Sequence, residues 1–470
     1  MEQVSGRGDE ERKLRDWLET VLGAEVCSIL REDRWRPSWI AKVLKGKEEL
    51  SLYIRGDRGQ GYSFPLAYEA DVMRLLERNG IPVPHVFGMC DDPEAIIMTN
   101  VTGERQLSGL TDPAERRRVI DEYIGTIAAM HAIDISQFEQ AGFANPVDPG
   151  ESQQNFHRIS VNFYRNLKAR PEPFVEWVLA WMDRNVPRHR TERSFVTYDA
   201  GQFLVDKGRV SAIYDFEMAH INDPLVDLAG WRVRNAFEPL DDITYMYSKY
   251  ESLTGRTIDC DVINYHVMAL SLAANLAIAG QLATPTAESG IWLVWEVAGA
   301  RYTLSAMADI LNVKLENMPT LAPVYSSRST AAAAMKAAIE ALPFDNKVAY
   351  QRKMALILAE HLRLVDLYGE TINSKNLAEV EEILGWRPSS INEADMELEK
   401  FVKTAGAEYD ERLLQLFHRR IERLRILLPS FEGEEPLAPG DVGPFIDRCH
   451  LPSLKRTWER HNSAKVEHGA

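Results

Sequence analysis

Cysteine is scarce in this sequence: four residues in 470, at positions 27, 90, 260 and 449. No two of them form a CxxC pair, which argues against a zinc or redox cluster. So few thiols in a chain this long suit a reducing compartment. Positive charge is also in deficit. Lys and Arg number 54 against 70 Asp and Glu, a net charge of −16. Such a surface repels phosphate backbones and excludes nucleic acid as the main partner, while leaving room for a local basic pocket. The opening MEQVSGRGDEERKLRDW lacks the apolar core of a signal peptide, so a cytoplasmic protein is expected. Long apolar runs are absent too. The uncharged stretch Val267 to Ala283 sits at the lower edge of bilayer-spanning length, contains Ser271, Asn275 and Gln281, and reads as a buried core helix with no membrane contact. There is no internal repeat. With 45% hydrophobic and 26% charged residues the chain is globular, and its length suggests two to four structural units.

What is present begins with an amphipathic pattern over 10–23, with Leu14, Trp17, Leu18 and Leu22 on one face. Runs 38–44 and 50–55 flank Lys45-Gly46-Lys47 and predict a β-hairpin. A polar, Gly-rich loop over 56–63 precedes a helix through Leu66, Ala70, Met73 and Leu76. IPVPHVFGMC and AIIMTNVTGE then read as two more strands. Residues 1–103 thus predict a small α+β unit. A helix is expected over 111–135, a polar loop over 145–155, and a helical run over 157–186. The period shifts to strand over 195–216, with Asp206-Lys207-Gly208 as a hairpin turn. A helical block follows to about 316. NMPTLAPVYSSRS is a linker, and 330–470 is a helical C-terminal extension.

Acidic residues punctuate 195–230. Asp199 follows a strand, Gln202 leads into the next, and Asp215 and Glu217 end its partner in YDFE. A hairpin brings the base of one strand beside the end of the other, so Asp199, Gln202 and Asp215 should converge at one edge. Phosphoryl transfer needs such a grouping: one carboxylate to orient a hydroxyl, and oxygen ligands for Mg²⁺ on the phosphates.

In these residues the sequence resembles the aminoglycoside phosphotransferase and choline kinase group, relatives of the protein kinases, from about residue 20 to 300. YDFEMAHINDPLVDLA is similar to the family's IDWExAxxGDPxxDLA and carries most of the resemblance. GIPVPHVFG resembles GxPVPxV, and IAAMHAID resembles AxLHxID with His131 as its histidine. The resemblance implies an α+β, two-lobed protein-kinase-like fold, with a small sheet-based nucleotide lobe over 1–103 and a helical lobe over 104–316. It implies ATP and Mg²⁺ as cofactors and a small-molecule hydroxyl as phosphate acceptor. Asp199 would be catalytic. Asp215, Gln202 and Glu217 would face the metal. Arg55 and Glu69 would form the phosphate-binding cation and its helix partner, and Met98, Thr99, Asn100 and Val101 the adenine hinge. Asp223 and Asp227 would brace the loop beneath.

Three features depart from the family pattern. The HGDxxxxN loop is replaced by TYDAGQ. A loop two residues shorter places Asp199 on the catalytic aspartate and Gln202 on the asparagine, whereas an ungapped alignment puts Thr197 on the aspartate. Arg55 stands where the strand lysine is expected, a workable exchange, since arginine keeps its charge and binds phosphate bidentately. The covering loop 31–37 lacks glycine. These departures leave open a second reading, a catalytically inactive nucleotide-binding regulator or scaffold. Elsewhere, Trp292, Trp295 and Tyr302 read as core, and the basic stretch 419–428 as a solvated helix face. The apolar stripes of 347–368 and 411–428 must be buried somewhere, on the same chain or in a homodimer through these helices, and the protein is accordingly a monomer or such a dimer.

Overall fold

A computed structural model describes residues 2–32, 36–57, 64–105, 107–283, 289–343 and 349–429. Residues 58–63 of the glycine-rich loop expected at 56–63, the centre of the covering loop at 33–35, and Cys449 lie outside these residues. The chain forms two compact units. One comprises Met1–Pro146, Glu192–Asp227 and Leu240–Arg256, and the other Val147–Thr191, Leu228–Pro239 and Thr257–Ala470.

All strands among the described residues belong to the first unit. A five-stranded antiparallel sheet has the order β1 (Glu25–Arg31), β2 (Ser38–Lys45), β3 (Glu48–Gly56), β5 (Glu94–Thr99), β4 (Val86–Asp91). The predicted hairpin is β2–β3, with Lys45 opposite Glu48. Its alternation buries Trp39, Ala41, Val43, Leu52 and Ile54 on one face, where Leu14 and Leu18 of the helix Glu2–Thr20 and Leu22 just beyond it cover them. Strand β1 was not expected from the sequence. The register slips between Val26 and Ser28, so a bulge at Cys27 breaks the alternation that marks a strand. The helix Leu66–Arg78 packs against β4 and β5 and buries Leu66, Ala70, Met73 and Leu76 as its spacing predicts.

A second sheet joins β6 (Glu104–Arg105), β8 (Phe203–Asp206) and β9 (Arg209–Ile213), and a third pairs β7 (Ser194–Val196) with β10 (His220–Asn222). The β8–β9 turn is the predicted one: Asp206 faces Arg209, and Lys207 and Gly208 both have positive φ, the geometry of a type I′ hairpin. Gly103 links the five-stranded sheet to β6. Its φ is +143°, and a Cβ there would lie 2.8 Å from the Val205 carbonyl oxygen, so only glycine lets the backbones approach.

The second unit is helical. The run expected at 157–186 is two helices, Asn155–Leu167 and Pro173–Arg184, because Pro171 and Pro173 interrupt the backbone ladder. The loop expected at 145–155 contains a short helix, Pro149–Gln153, capped by Asp148. Helix Cys260–Ala283 holds the uncharged stretch. Its segment Cys260–Ile278 is long and apolar enough to cross a membrane by composition, yet 83% of that window is buried inside the protein.

The C-terminal helices Ala349–Leu384, Ile391–Val402 and Asp410–Ile426 pack on this same unit. Phe417 stacks on Trp177 at 5.2 Å, Arg301 Nε binds Glu422 at 2.7 Å, and Lys168 bridges Glu176 and Glu399 at 2.7 and 2.6 Å. Burial opposes the Glu399 charge, but bonds from Lys168, Lys403 and the Glu172 amide prevail and hold its carboxyl down at about 2. The basic run 419–428 is not the solvated face its sequence suggested. Arg423 is buried against Asn376 and Glu379, and Arg420 pairs with Asp395 at 2.5 Å.

Two predictions follow from the packing. Truncation after residue 328 strips the cover from Trp177 and leaves Lys168 and the Glu172 amide without Glu399. The shortened protein should lose solubility or its cooperative unfolding, measured by solution mass and thermal denaturation. Gly103→Ala should lower stability by about 1–3 kcal/mol, read from the urea midpoint of the full chain.

Candidate functional site

The candidate site lies in the first unit and is built on the β8–β9 hairpin. Phe203 pairs with Ile213, and the Tyr214 amide donates to the Gln202 carbonyl at 3.3 Å. That register sets Asp199 and Gln202, just before β8, at the same end as Asp215, just after β9. The Gln202 side-chain amide donates to Asp199 Oδ2 at 3.1 Å. The hairpin register therefore sets Asp199, Gln202 and Asp215 at the same end of β8 and β9.

Arg55 enters from β3. Its Nε donates to Glu69 Oε2 at 2.9 Å, and its Nη2 to Asp215 Oδ1 at 2.6 Å and to Glu217 Oε2 at 3.3 Å. Only 9% of Arg55 and 2% of Glu69 is exposed. Burial works against the guanidinium charge, but Glu69, Asp215 and Glu217 outweigh it and hold Arg55 above its ordinary value. Burial likewise pushes the Glu69 carboxyl up, against the pull of Arg55. The second oxygen of Glu69 accepts the Phe216 amide at 3.2 Å. Glu69 thus ties the strand cation and the 215–217 backbone to one helix. Glu217 is also held by the buried Arg36, which comes from the β1–β2 connection, a partnership the sequence did not signal.

Asp215 has φ of 72° and Tyr198 φ of 71°, a region non-glycine residues seldom occupy. The turn at 197–198 is fixed from below by Asp227, which is fully buried. Its carboxylate accepts from the amides of Thr197 and Tyr198, both at 2.9 Å, and from the Thr197 hydroxyl at 3.1 Å. His131 Nε2 lies 3.0 Å from it, and His131 Nδ1 lies 2.7 Å from the Tyr250 hydroxyl. His131 is therefore the packed helix-end histidine expected. Asp223 caps the following helix through the Leu225 amide at 2.9 Å. His220, beside Tyr198, is pushed down to about 4 by burial. As a neutral ring it bonds the Met218 carbonyl through Nδ1 at 2.8 Å.

The segment Met98–Val101 closes β5 and leads to β6. Met98 is buried, the Thr99 amide donates to the His85 carbonyl, and the Asn100 amide to the Ser51 carbonyl, each at 2.9 Å. Tyr302 is buried in the helical unit and is core, as expected, whereas Trp292 and Trp295 are only half-buried, Trp295 packing edge-on against Phe237. Among the described residues, no three His, Cys, Asp or Glu side chains cluster as a metal cage. Magnesium on a nucleotide asks for less: one or two carboxylates, with phosphate and water completing the octahedron. Asp215 with the Gln202 amide oxygen is a donor set of that kind.

Residues 38–245 match the profile of the phosphotransferase enzyme family. Over that segment the chain is similar to the phosphotransferase enzyme family. Human acyl-CoA dehydrogenase family member 11 is 25% identical over 228 residues, covering 44% of this chain and 28% of that protein. Mouse acyl-CoA dehydrogenase family member 10 is 25% identical over 179 residues, 34% of this chain and 16% of that one. The chain thus spans less than a third of these relatives. Among solved structures, the macrolide 2′-phosphotransferase MphH of Brachybacterium faecium aligns with a TM-score of 0.43 at 18% identity, over 65% of this chain and 99% of that one. A thermostable aminoglycoside phosphotransferase APH(4)-Ia bound to ADP and hygromycin B aligns with a TM-score of 0.43 at 15% identity, over 57% and 93%.

The brace beneath the loop makes a measurable claim. Asp227→Ala would leave two buried amides, a hydroxyl and His131 without their shared acceptor. At about 1–3 kcal/mol for each unsatisfied group, unfolding free energy should drop by at least about 3 kcal/mol in denaturant titration of the full chain.

Proposed function

We propose that this protein is an ATP-dependent phosphotransferase that moves the γ-phosphoryl group to a hydroxyl of a small molecule. The observation that carries the reading is the meeting of Asp199, Gln202 and Asp215 at one end of the β8–β9 hairpin, with the Arg55–Glu69 pair bonded to Asp215.

In this reading Asp199 is the catalytic residue. It accepts the acceptor hydroxyl's hydrogen bond and takes its proton as the oxygen attacks phosphorus. Gln202 fixes the Asp199 carboxylate from one side, so its orientation is set before substrate arrives. Asp215 and Gln202 would hold Mg²⁺, which supplies neutralisation of phosphate charge. Arg55 would turn from Asp215 to the phosphates, with Glu69 still bonded at Nε. Its planar fork offers two parallel donors where lysine offers a point charge. Glu217 stays with Arg36 and closes the site's edge. The backbone of Met98–Val101 would take the adenine ring. Transfer then rests on positioning and charge neutralisation, since phosphoryl transfer demands little covalent chemistry of a protein. The enzyme works in the cytoplasm, as a monomer or a homodimer through its C-terminal helices.

The second reading, an inactive nucleotide-binding regulator, is favoured by one observation: Asp215 and Glu217 are already engaged by Arg55 and Arg36. Three measurements separate the two. In an ATP-turnover assay across a panel of hydroxylated metabolites, the wild type should turn over at least one. Asp199→Asn should then lose two or more orders of magnitude in kcat while still binding Mg·ATP. Asp215→Ala should lose Mg²⁺-dependent ATP binding in a thermal-shift assay without losing its fold. ATP binding without turnover of any acceptor selects the regulator. Absence of nucleotide binding, or unchanged turnover in Asp215→Ala, overturns the site.

A further inference from the structure

The helical unit contains a pocket of about 620 Å³, well away in sequence from every residue assigned above. The helix Asn155–Leu167 presents His157, Arg158, Val161, Asn162 and Arg165 to it, positions that share one helical face. Leu179 and Asp183 come from the helix Pro173–Arg184, and Arg188 follows it. His157 lies at the floor, 5% exposed. Among the described residues its Nδ1 has no hydrogen-bond partner. A buried ring nitrogen without a partner costs stability unless something fills the bond.

The rim has a surplus of donors. Arg158 and Arg188 reach Glu151 and Asp148 only at 3.6 Å, ion pairs too long for hydrogen bonds. Of the rim's three carboxylates, Asp148 and Asp183 also accept hydrogen bonds from neighbouring groups, and the third lining arginine, Arg165, is paired with Glu176. Asp148 accepts the Glu151 amide at 3.0 Å and Asp183 the Gln154 side chain at 3.1 Å. Gly150 adds a shape argument, because a Cβ there would collide with the Arg188 guanidinium. The glycine lets that side chain lie flat at the pocket's edge. Each guanidinium has five N–H donors in a planar fork suited to carboxylate or phosphate oxygens.

We propose that this pocket binds a small molecule through a carboxylate or phosphate group, gripped by Arg158 and Arg188 at the rim, with His157 bonding a polar atom of the same ligand at the floor. The proposal is independent of the phosphotransfer reading and names a site that reading does not use. Recognition is of an oxyanion, which the overall charge of −16 would otherwise disfavour.

The test uses the full chain labelled with ¹³C-histidine, the His157 signal being assigned by its loss in His157→Gln. Inorganic phosphate and succinate are titrated separately, with chloride as the control, while ATP binding is followed in parallel as a check on the other unit. The expected result is a saturable shift of the His157 signal with one or both probes and none with chloride. The probe that saturates at the lower concentration identifies the oxyanion. Arg158→Gln combined with Arg188→Gln should raise the apparent Kd tenfold or more, the loss of charge-assisted bonds, and leave ATP binding unchanged. Both arginines are more than half exposed, so the fold should tolerate the change, and the single variants carry the test if the double one does not fold. No shift at tens of millimolar of either probe, a shift that chloride reproduces, or equal affinity in the arginine variants would overturn the proposal.

Discussion

The arrangement of the first unit depends on one buried cation. Arg55 lies among three carboxylates from two other parts of the chain, Glu69 on a helix and Asp215 and Glu217 beyond β9. Removing any one side chain of such a set leaves its neighbours charged and desolvated, which costs far more than the intact set contributes. The network therefore fixes position more than it adds stability. Strand β3, the helix Leu66–Arg78 and the end of the β8–β9 hairpin can meet in only one register if all these groups are to be paired. Among the described residues, Arg36 joins the set through Glu217 and ties the β1–β2 connection to it.

Much of this was legible in the sequence because it is local. The β2–β3 and β8–β9 hairpins follow from alternation interrupted by Lys-Gly and Asp-Lys-Gly turns, and once β8–β9 is drawn, Asp199, Gln202 and Asp215 must share an end. Arg55 and Glu69 were pointed to only by the resemblance to the phosphotransferase group, since spacing alone singles out neither a strand arginine nor a helix glutamate. What was not legible depends on distant partners or broken patterns. Strand β1 hides behind the bulge at Cys27. Arg36 looks like any surface arginine until Glu217, 181 residues away, is brought to it. Arg423 misled in the same way: a basic run on a helix is usually solvated, and nothing near it in the sequence announces Asn376 and Glu379. The pocket around His157 is the extreme case, since its residues read individually as an ordinary polar helix face.

The loop TYDAGQ holds a strained turn. The φ of Tyr198 is 71°. A left-handed backbone costs a non-glycine residue roughly 1–2 kcal/mol, so a tyrosine there needs compensation. Three local features supply it. The Tyr198 amide reaches the Asp227 carboxylate only with the chain turned this way, and bonds to a buried carboxylate are among the stronger ones. The ring is removed from solvent and set against His220. The Gly201 amide is tied to the Tyr123 hydroxyl at 2.7 Å, which anchors the far side of the turn. Held in this way, the tight turn at Tyr198 leads the chain to Asp199, whose carboxylate the Gln202 side chain reaches at 3.1 Å.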